Sequence, residues 1–245
     1  MFLPIEVKDK IKTSIDEFVK KRDWYMTHQI PYHFGILLYG ASGSGKSSLA
    51  EAIANYVHAR QLVLTGDDIS SLPDLFTYEI RNIAPKDSGQ LQCLIIEDID
   101  VAFSTDRFGG SRSMNKYDDN DESSNKKQRS GGLAKLLNSF DGINAPQDTI
   151  YIFTTNHIDR LDPALIRPGR IDLKIEINNI SVEALSQFTN KFYDKMIDES
   201  MINQSEIPND LTFAELQTEV MKGKSFDELI NYIKGRDVNN GGSEV

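Results

Sequence analysis

Cysteine is almost missing from this sequence, with Cys93 the single one in 245 residues. No intrachain disulfide can form and a cysteine-rich metal site is excluded, a usage that fits a reducing compartment. Set in an apolar run, Cys93 reads as a core filler. Long hydrophobic stretches are missing too: none approaches the ~18 residues of a membrane span, and the N-terminus carries no signal-peptide pattern. The expectation is a soluble, cytoplasmic chain with no membrane segment. Positive charge is in deficit, since 27 Lys and Arg against 37 Asp and Glu leave a formal net charge of −10. That balance provides no global basic field for a phosphate backbone and disfavours nucleic acid as a partner. With 39% hydrophobic and 26% charged residues, the length suffices for one large domain with its own core, or one domain with a small satellite.

Against these absences stands one dense pattern, Gly40-Ala41-Ser42-Gly43-Ser44-Gly45-Lys46-Ser47. It fits G-x-x-x-x-G-K-[S/T], the loop that cradles phosphates. An apolar run, Phe34 to Tyr39, precedes it and reads as a buried strand, and Ser48 to Ala59 follows with apolar residues at helical spacing. Glycines let successive backbone N–H groups turn inward toward phosphate oxygens, with the positive end of the next helix behind them. Gly40, Ser42, Gly43, Ser44, Gly45, Lys46, Ser47 and Ser48 are therefore the candidate nucleotide-binding residues. Lys46 reaches the β and γ phosphates in this reading, and Ser47 holds Mg²⁺ through its hydroxyl. Without its flanking strand and helix the stretch would be an ordinary Gly/Ser turn.

Gln61 to Thr65 reads as a second strand, Leu75 to Ile83 as a helix ended by Pro85, and Leu91 to Ile96 as a third strand. Glu97-Asp98-Ile99-Asp100 follows at once. An apolar strand ending in carboxylates downstream of a P-loop reads as a Walker-B motif, in which one carboxylate orients Mg²⁺ and the next polarises the attacking water. Ile150 to Phe153 is a fourth strand and terminates in Thr154-Thr155-Asn156. A polar amide at the end of a parallel strand lies at the ligand crevice, so Asn156 is a candidate contact for the γ-phosphate or the water. Arg167 and Arg170 flank Pro168-Gly169 just before a last strand, Leu173 to Ile177. On such a turn guanidinium groups serve either as bidentate phosphate ligands or as surface ion-pair partners.

Around this centre the chain is ordered simply. Val7, Ile11, Ile15 and Phe18 put an amphipathic helix at Leu3 to Arg22. Trp24, Tyr25 and Ile30-Pro31-Tyr32 then either brace that helix or approach the nucleotide base. Ser104 to Ser130 is polar, with six basic against five acidic residues, and reads as a mobile insertion that either faces a substrate channel or is simply solvated. Leu133, Leu136, Leu137 and Phe140 mark a helix closed by Gly142. From Ser181 onward the periodicity is helical only, which points to a separate small domain. The expected fold is a three-layer α/β/α P-loop NTPase with a parallel sheet over residues 1–180, a helical lid at 181–236 and a disordered tail at 237–245.

Taken in order, the P-loop, the acidic strand end, Thr154-Thr155-Asn156 and the run from Leu161 to Asp172 resemble the AAA ATPases, the ATPases associated with diverse cellular activities. Trp24-Tyr25 with Ile30-Pro31-Tyr32, Glu97 to Phe103, Leu136 to Gly142, and Thr154 to Arg170 look like the Bcs-type subfamily, the AAA chaperones associated with assembly of the mitochondrial cytochrome bc complex. The likeness runs from about Leu3 to Ile180 and more weakly beyond. It implies Mg²⁺-dependent ATP hydrolysis in a homo-oligomeric ring, hexamer or heptamer, coupled to remodelling or moving a protein client. By position, Lys46 and Ser47 match the Walker-A lysine and metal ligand. Glu97 falls at the Mg²⁺-associated carboxylate, Asp98 at the catalytic one, and Asn156 at sensor 1. Arg167 and Arg170 match arginine fingers that act on a neighbour's nucleotide. The Glu-Asp order is itself a Bcs-type trait; Asp98 is one methylene shorter than the usual Glu, so either it sits closer to the water or the water shifts, to keep a bond of ~2.6–3.2 Å.

The sequence departs from the wider family in several places. Ala41-Ser42 replaces a common Pro pair, no aromatic-hydrophobic-glycine pore loop lies between Gly66 and Leu75, and no sensor-2 arginine is recognisable in the helical end. The transmembrane helix and specific N-terminal domain of the mitochondrial proteins do not occur in this sequence, so mitochondrial association rests on the resemblance alone. Three competing functions follow: an ATP-binding assembly scaffold with little hydrolysis, suggested by the Glu97-Asp98 inversion; a DNA-directed AAA module, disfavoured by the acidic balance; and a small-molecule kinase, for which no acceptor site is recognisable.

Overall fold

The computed structural model describes residues 2–65, 90–100, 147–177 and 179–235. The helix expected at Leu75–Ile83, the stretch from Gly66 to Leu75, the insertion at 104–130, the helix around Leu133–Phe140 and the tail at 237–245 lie outside the described residues. Among the described residues no helix is long and apolar enough to cross a membrane. The chain divides into two compact units, one of Glu17–Gly40 with Ser47–Glu176, the other of Met1–Asp16, Ala41–Lys46 and Ile177–Val245.

The first unit is built on a five-stranded sheet of β1 (His33–Tyr39), β2 (Arg60–Thr65), β3 (Gln92–Glu97), β4 (Thr149–Thr155) and β5 (Leu173–Glu176). Strand order is β2-β3-β4-β1-β5 and every pairing is parallel. The burial pattern matches this order. Strands buried on both faces read as continuous apolar runs, whereas edge strands alternate. All seven residues of β4 are buried and β3 is nearly so, while β5 alternates buried and exposed and β2 is mostly exposed. With helices against it, this all-parallel sheet bears out the expected P-loop NTPase fold.

The strands appear within two residues of their expected ends, and the largest shift is informative. β4 runs on through Thr154 and Thr155 because both stay in the ladder opposite Leu38 and Tyr39 of β1. The helix expected from Ser48 instead spans Lys46–Tyr56 (α3) and stops short of Ala59, where His58 adopts a positive φ of 52°. The N-terminal helix likewise breaks at Lys21, giving α1 (Ile5–Lys20) and α2 (Arg22–Thr27). Leu37, Leu94, Ile96, Tyr151 and Phe153 of the strands join Leu161, Leu165 and Ile171 in one buried cluster. Behind β1, Phe18 stacks on Tyr32 at 4.4 Å and on Phe34 at 5.2 Å, with Tyr25 edge-on to Phe18. Contacts of this kind contribute about 0.5–1.5 kcal/mol each beyond burial. The aromatic segment therefore braces the last turn of α1, from Glu17, behind β1, while Trp24 stays half exposed over His28.

In the second unit α4 (Val182–Tyr193), α5 (Phe213–Met221) and α6 (Phe226–Gly235) surround Phe188, Leu185, Leu216, Leu229 and Ile233, all fully buried. Ser181 caps α4 by accepting the Ala184 N–H, and Thr212 with Glu215 forms a reciprocal capping box on α5. The N-terminal segment packs here too. Phe2 meets Phe188 edge-on at 5.3 Å, the Ile5 N–H donates to Glu183 at 3.0 Å, and Gln187 donates to the Leu3 carbonyl at 2.9 Å.

Candidate nucleotide site

In a parallel sheet all carboxyl ends fall on one edge, where ligands bind. Tyr39 pairs with Thr155 and Ile96 with Phe153, so the residues following β1, β3 and β4 emerge side by side. These are Gly40, then Glu97 and Asp98, then Asn156.

Glu97 is the last residue of β3 and half-buried; Asp98 follows it, exposed, with a positive φ of 49°. That backbone is uncommon outside glycine, and Asp is among the residues that tolerate it. Two bonds hold the turn. The Asp98 N–H donates to the Thr154 hydroxyl at 3.1 Å, and the Asn156 amide Nδ2 donates to Asp98 Oδ1 at 3.3 Å. The structure thus brings Asp98 and Asn156, 58 residues apart, into one polar pair. Nothing in the sequence marks Thr154, Thr155 or Asp100 for a role, yet they surround that pair. Thr155 Oγ1 donates to Asp100 Oδ1 at 2.6 Å and accepts the His157 N–H at 2.9 Å.

The loop interior, Ala41–Lys46, has its own geometry. Gly40, Gly43 and Gly45 have φ of 141°, 75° and 95°, values that L side chains rarely adopt. The Ser44 N–H and the Lys46 ammonium both donate to the Ala41 carbonyl, at 3.3 and 2.7 Å, and Lys46 is buried. Ser44 Oγ is buried with no hydrogen-bond partner among the described residues. A curled glycine loop with an orphaned hydroxyl and an inward lysine is a fitting phosphate cradle. In the same compact unit a Cβ on Gly43 would lie 3.0 Å from Thr212 Cγ2, so the loop packs against the N-cap residue of α5. Ser42 is exposed, as are Ser47 and Ser48 in the first turn of α3.

A metal at this site would meet oxygen donors. Among the described residues no group of three or more His, Cys, Asp or Glu is placed to hold an ion. Mg²⁺ takes one or two protein oxygens together with phosphate oxygens and water rather than a dedicated protein cage. Ser47 and Glu97 are the candidate ligands.

The arginine turn lies elsewhere. β5 starts opposite Ile36, so residues 167–172 sit toward the amino ends of the strands. The turn hangs from Gly35: the Asp172 N–H donates to the Gly35 carbonyl at 2.8 Å, while Asp172 Oδ2 accepts the Gly35 N–H at 2.9 Å and Oδ1 the Gly169 N–H at 3.3 Å. Gly35 and Gly40 are five residues apart, ~16 Å along a strand. The two arginines also differ. Arg170 is half-buried and its guanidinium donates to the Ala164 carbonyl, whereas Arg167 is exposed with no side-chain hydrogen bond among the described residues. The sequence does not distinguish them and gives no sign of Gly35 and Asp172, whose roles appear only where two backbones meet.

Comparison with known proteins agrees with this architecture. The model of the ATPase family associated with various cellular activities (AAA) matches residues 36–179. The mitochondrial chaperone BCS1 of Bos taurus is 39% identical over 189 residues, covering 76% of this chain and 41% of the relative. Its Homo sapiens counterpart is 38% identical over 187 residues, with 76% and 41% covered. The probable mitochondrial chaperone bcs1 of Schizosaccharomyces pombe is 30% identical over 226 residues, with 91% and 46% covered. The chain therefore spans less than half the length of these relatives, and the expected likeness to Bcs-type chaperones is borne out. From the sheet order, the strand-end residues and this match, the chain belongs to the ATPase family associated with various cellular activities.

Proposed function

We propose that this chain is a Mg²⁺-dependent ATPase that works in a ring of identical copies, hexamer or heptamer, and couples hydrolysis to remodelling or moving a protein client. The observation that carries the shared-site reading is the polarity of the sheet: Asp98 and Asn156 follow the carboxyl ends of their strands, while Arg167 and Arg170 precede the amino end of β5. Arginines held on that side serve the nucleotide of another copy. The chaperone names of the relatives support a protein client.

In this reading the amides of Gly40 to Lys46 and the Lys46 ammonium bind the phosphates, with Ser48 at the first turn of the helix behind them. Ser47 and Glu97 hold Mg²⁺, which when bound supplies positive charge to the β and γ oxygens. Asn156 occupies one oxygen of Asp98 and leaves the other to accept a proton from the attacking water. Arg167 from the neighbour meets the charge that develops on the transferred group, a contribution on the order of 10³–10⁵ in rate. Turnover per subunit measured across protein concentration tests the proposal. A rate that climbs with assembly supports it, and turnover no greater than that of Lys46→Ala contradicts it.

A further inference from the structure

We infer that Thr155 and Asp100 form a buried latch that positions the water-orienting pair Asp98 and Asn156; the inference rests on the ATPase reading above. Three side-chain rungs join the segment after β3 to the end of β4. Asp98 takes part in two of them: its own N–H donates to the Thr154 hydroxyl, and its Oδ1 accepts the Asn156 amide. The third is the 2.6 Å bond from the Thr155 hydroxyl to Asp100. Thr155 is 0% and Asp100 5% exposed, so this carboxylate–hydroxyl bond is shielded from water, where such bonds are strong and their loss is most damaging.

The latch grips both sides of Asn156. Thr155 precedes it, and the same hydroxyl oxygen accepts the N–H of His157, which follows it. On the opposite segment Asp98 and Asp100 bracket Ile99, itself fully buried. Removing the Thr155 hydroxyl unpairs the Asp100 carboxylate and the His157 N–H together and frees the Asn156 peptide to shift. Misplacement by ~1 Å at a reacting centre lowers rate about 10²-fold. Thr155 and Asp100 are positioning residues: they act through Asn156 and Asp98.

The experiment compares Thr155→Val, Thr155→Ser and Asp100→Ala in the full chain, each first checked for cooperative melting, and repeats Thr155→Val in an Asn156→Ala background. Thr155→Val and Asp100→Ala, which removes the acceptor, are expected to lower kcat by about 10- to 100-fold, while KM for ATP and affinity for a fluorescent ATP analogue change less than about twofold. Thr155→Ser restores kcat to within about threefold, because the hydroxyl is kept. In the Asn156→Ala background the valine variant lowers kcat by less than about twofold more, since its route is already cut. Multiplicative losses, or an undiminished kcat in Thr155→Val, would overturn the latch while leaving the ATPase reading intact. A wild-type chain no faster than Lys46→Ala would remove both. Should valine abolish folding, the contrast between Asp100→Ala and Thr155→Ser decides: equal kcat values overturn the latch, and a slow Asp100→Ala beside a fast Thr155→Ser supports it.

Discussion

Replacing Gly35 by alanine puts one methyl group where a backbone already runs. An ideal Cβ there lies 1.7 Å from the Arg170 carbonyl oxygen, 2.7 Å from its carbon and 3.1 Å from Ile171 Cα. All three atoms are main chain, so no rotamer relieves the clash. Carbon and oxygen in weak contact sit at ~3.3–3.6 Å, so the arginine turn must retreat by roughly 1.6 Å. That retreat breaks the two bonds between Gly35 and Asp172, one of them to a carboxylate. Losing a neutral and a charged hydrogen bond costs about 2–4 kcal/mol, and overpacking adds about 1–3 kcal/mol. Against a domain stability of about 5–15 kcal/mol, Gly35→Ala should be marginal. Urea unfolding reads the change, and a loss below about 1 kcal/mol would refute the reasoning. Asp172→Asn, which keeps one acceptor, should lose about 1–3 kcal/mol in the same assay.

The two arginines should separate by assay: Arg167→Ala abolishes turnover with an unchanged urea midpoint, whereas Arg170→Ala also loses about 1 kcal/mol with its bond to Ala164; equal stability losses would contradict the assignment. Acid should loosen the helical unit. Backbone N–H groups of Asn203 and Ser225 hold Glu206 and Glu228 below the usual carboxylate range. A lowered folded pKa gives stability present above the unfolded value, near 4.5, and lost as pH falls through the folded one. A Glu206→Gln/Glu228→Gln double variant should therefore lose less stability than wild type between about pH 5 and pH 3, and a parallel decline would argue against a role for these N–H bonds.

The phosphate loop was legible because its chemistry needs neighbouring residues, glycines for curl and a lysine and serine at fixed spacing. The strands were legible because central and edge positions imprint different burial patterns, as β4 and β5 do. What sequence could not reveal is pairing at a distance. Periodicity marked the apolar face of α1, but gave no sign that Phe2 and Ile5 would meet the helical unit at Phe188 and Glu183. Asp98 carries no mark of its positive φ, since the strain is set by Thr154 and Asn156 around it. Gly35 looked like one more residue of an apolar run until Arg170 crossed it.

Sharing of one site between two copies is the central claim, and a mixing experiment reaches it directly. Lys46→Ala keeps its arginine turn but loses its own phosphate cradle; Arg167→Ala keeps the cradle but lacks the finger. Each alone should be inactive. Mixed before assembly, they should regain turnover, because some interfaces then pair an intact loop with an intact arginine. A mixture no more active than the sum of its two components would contradict the account.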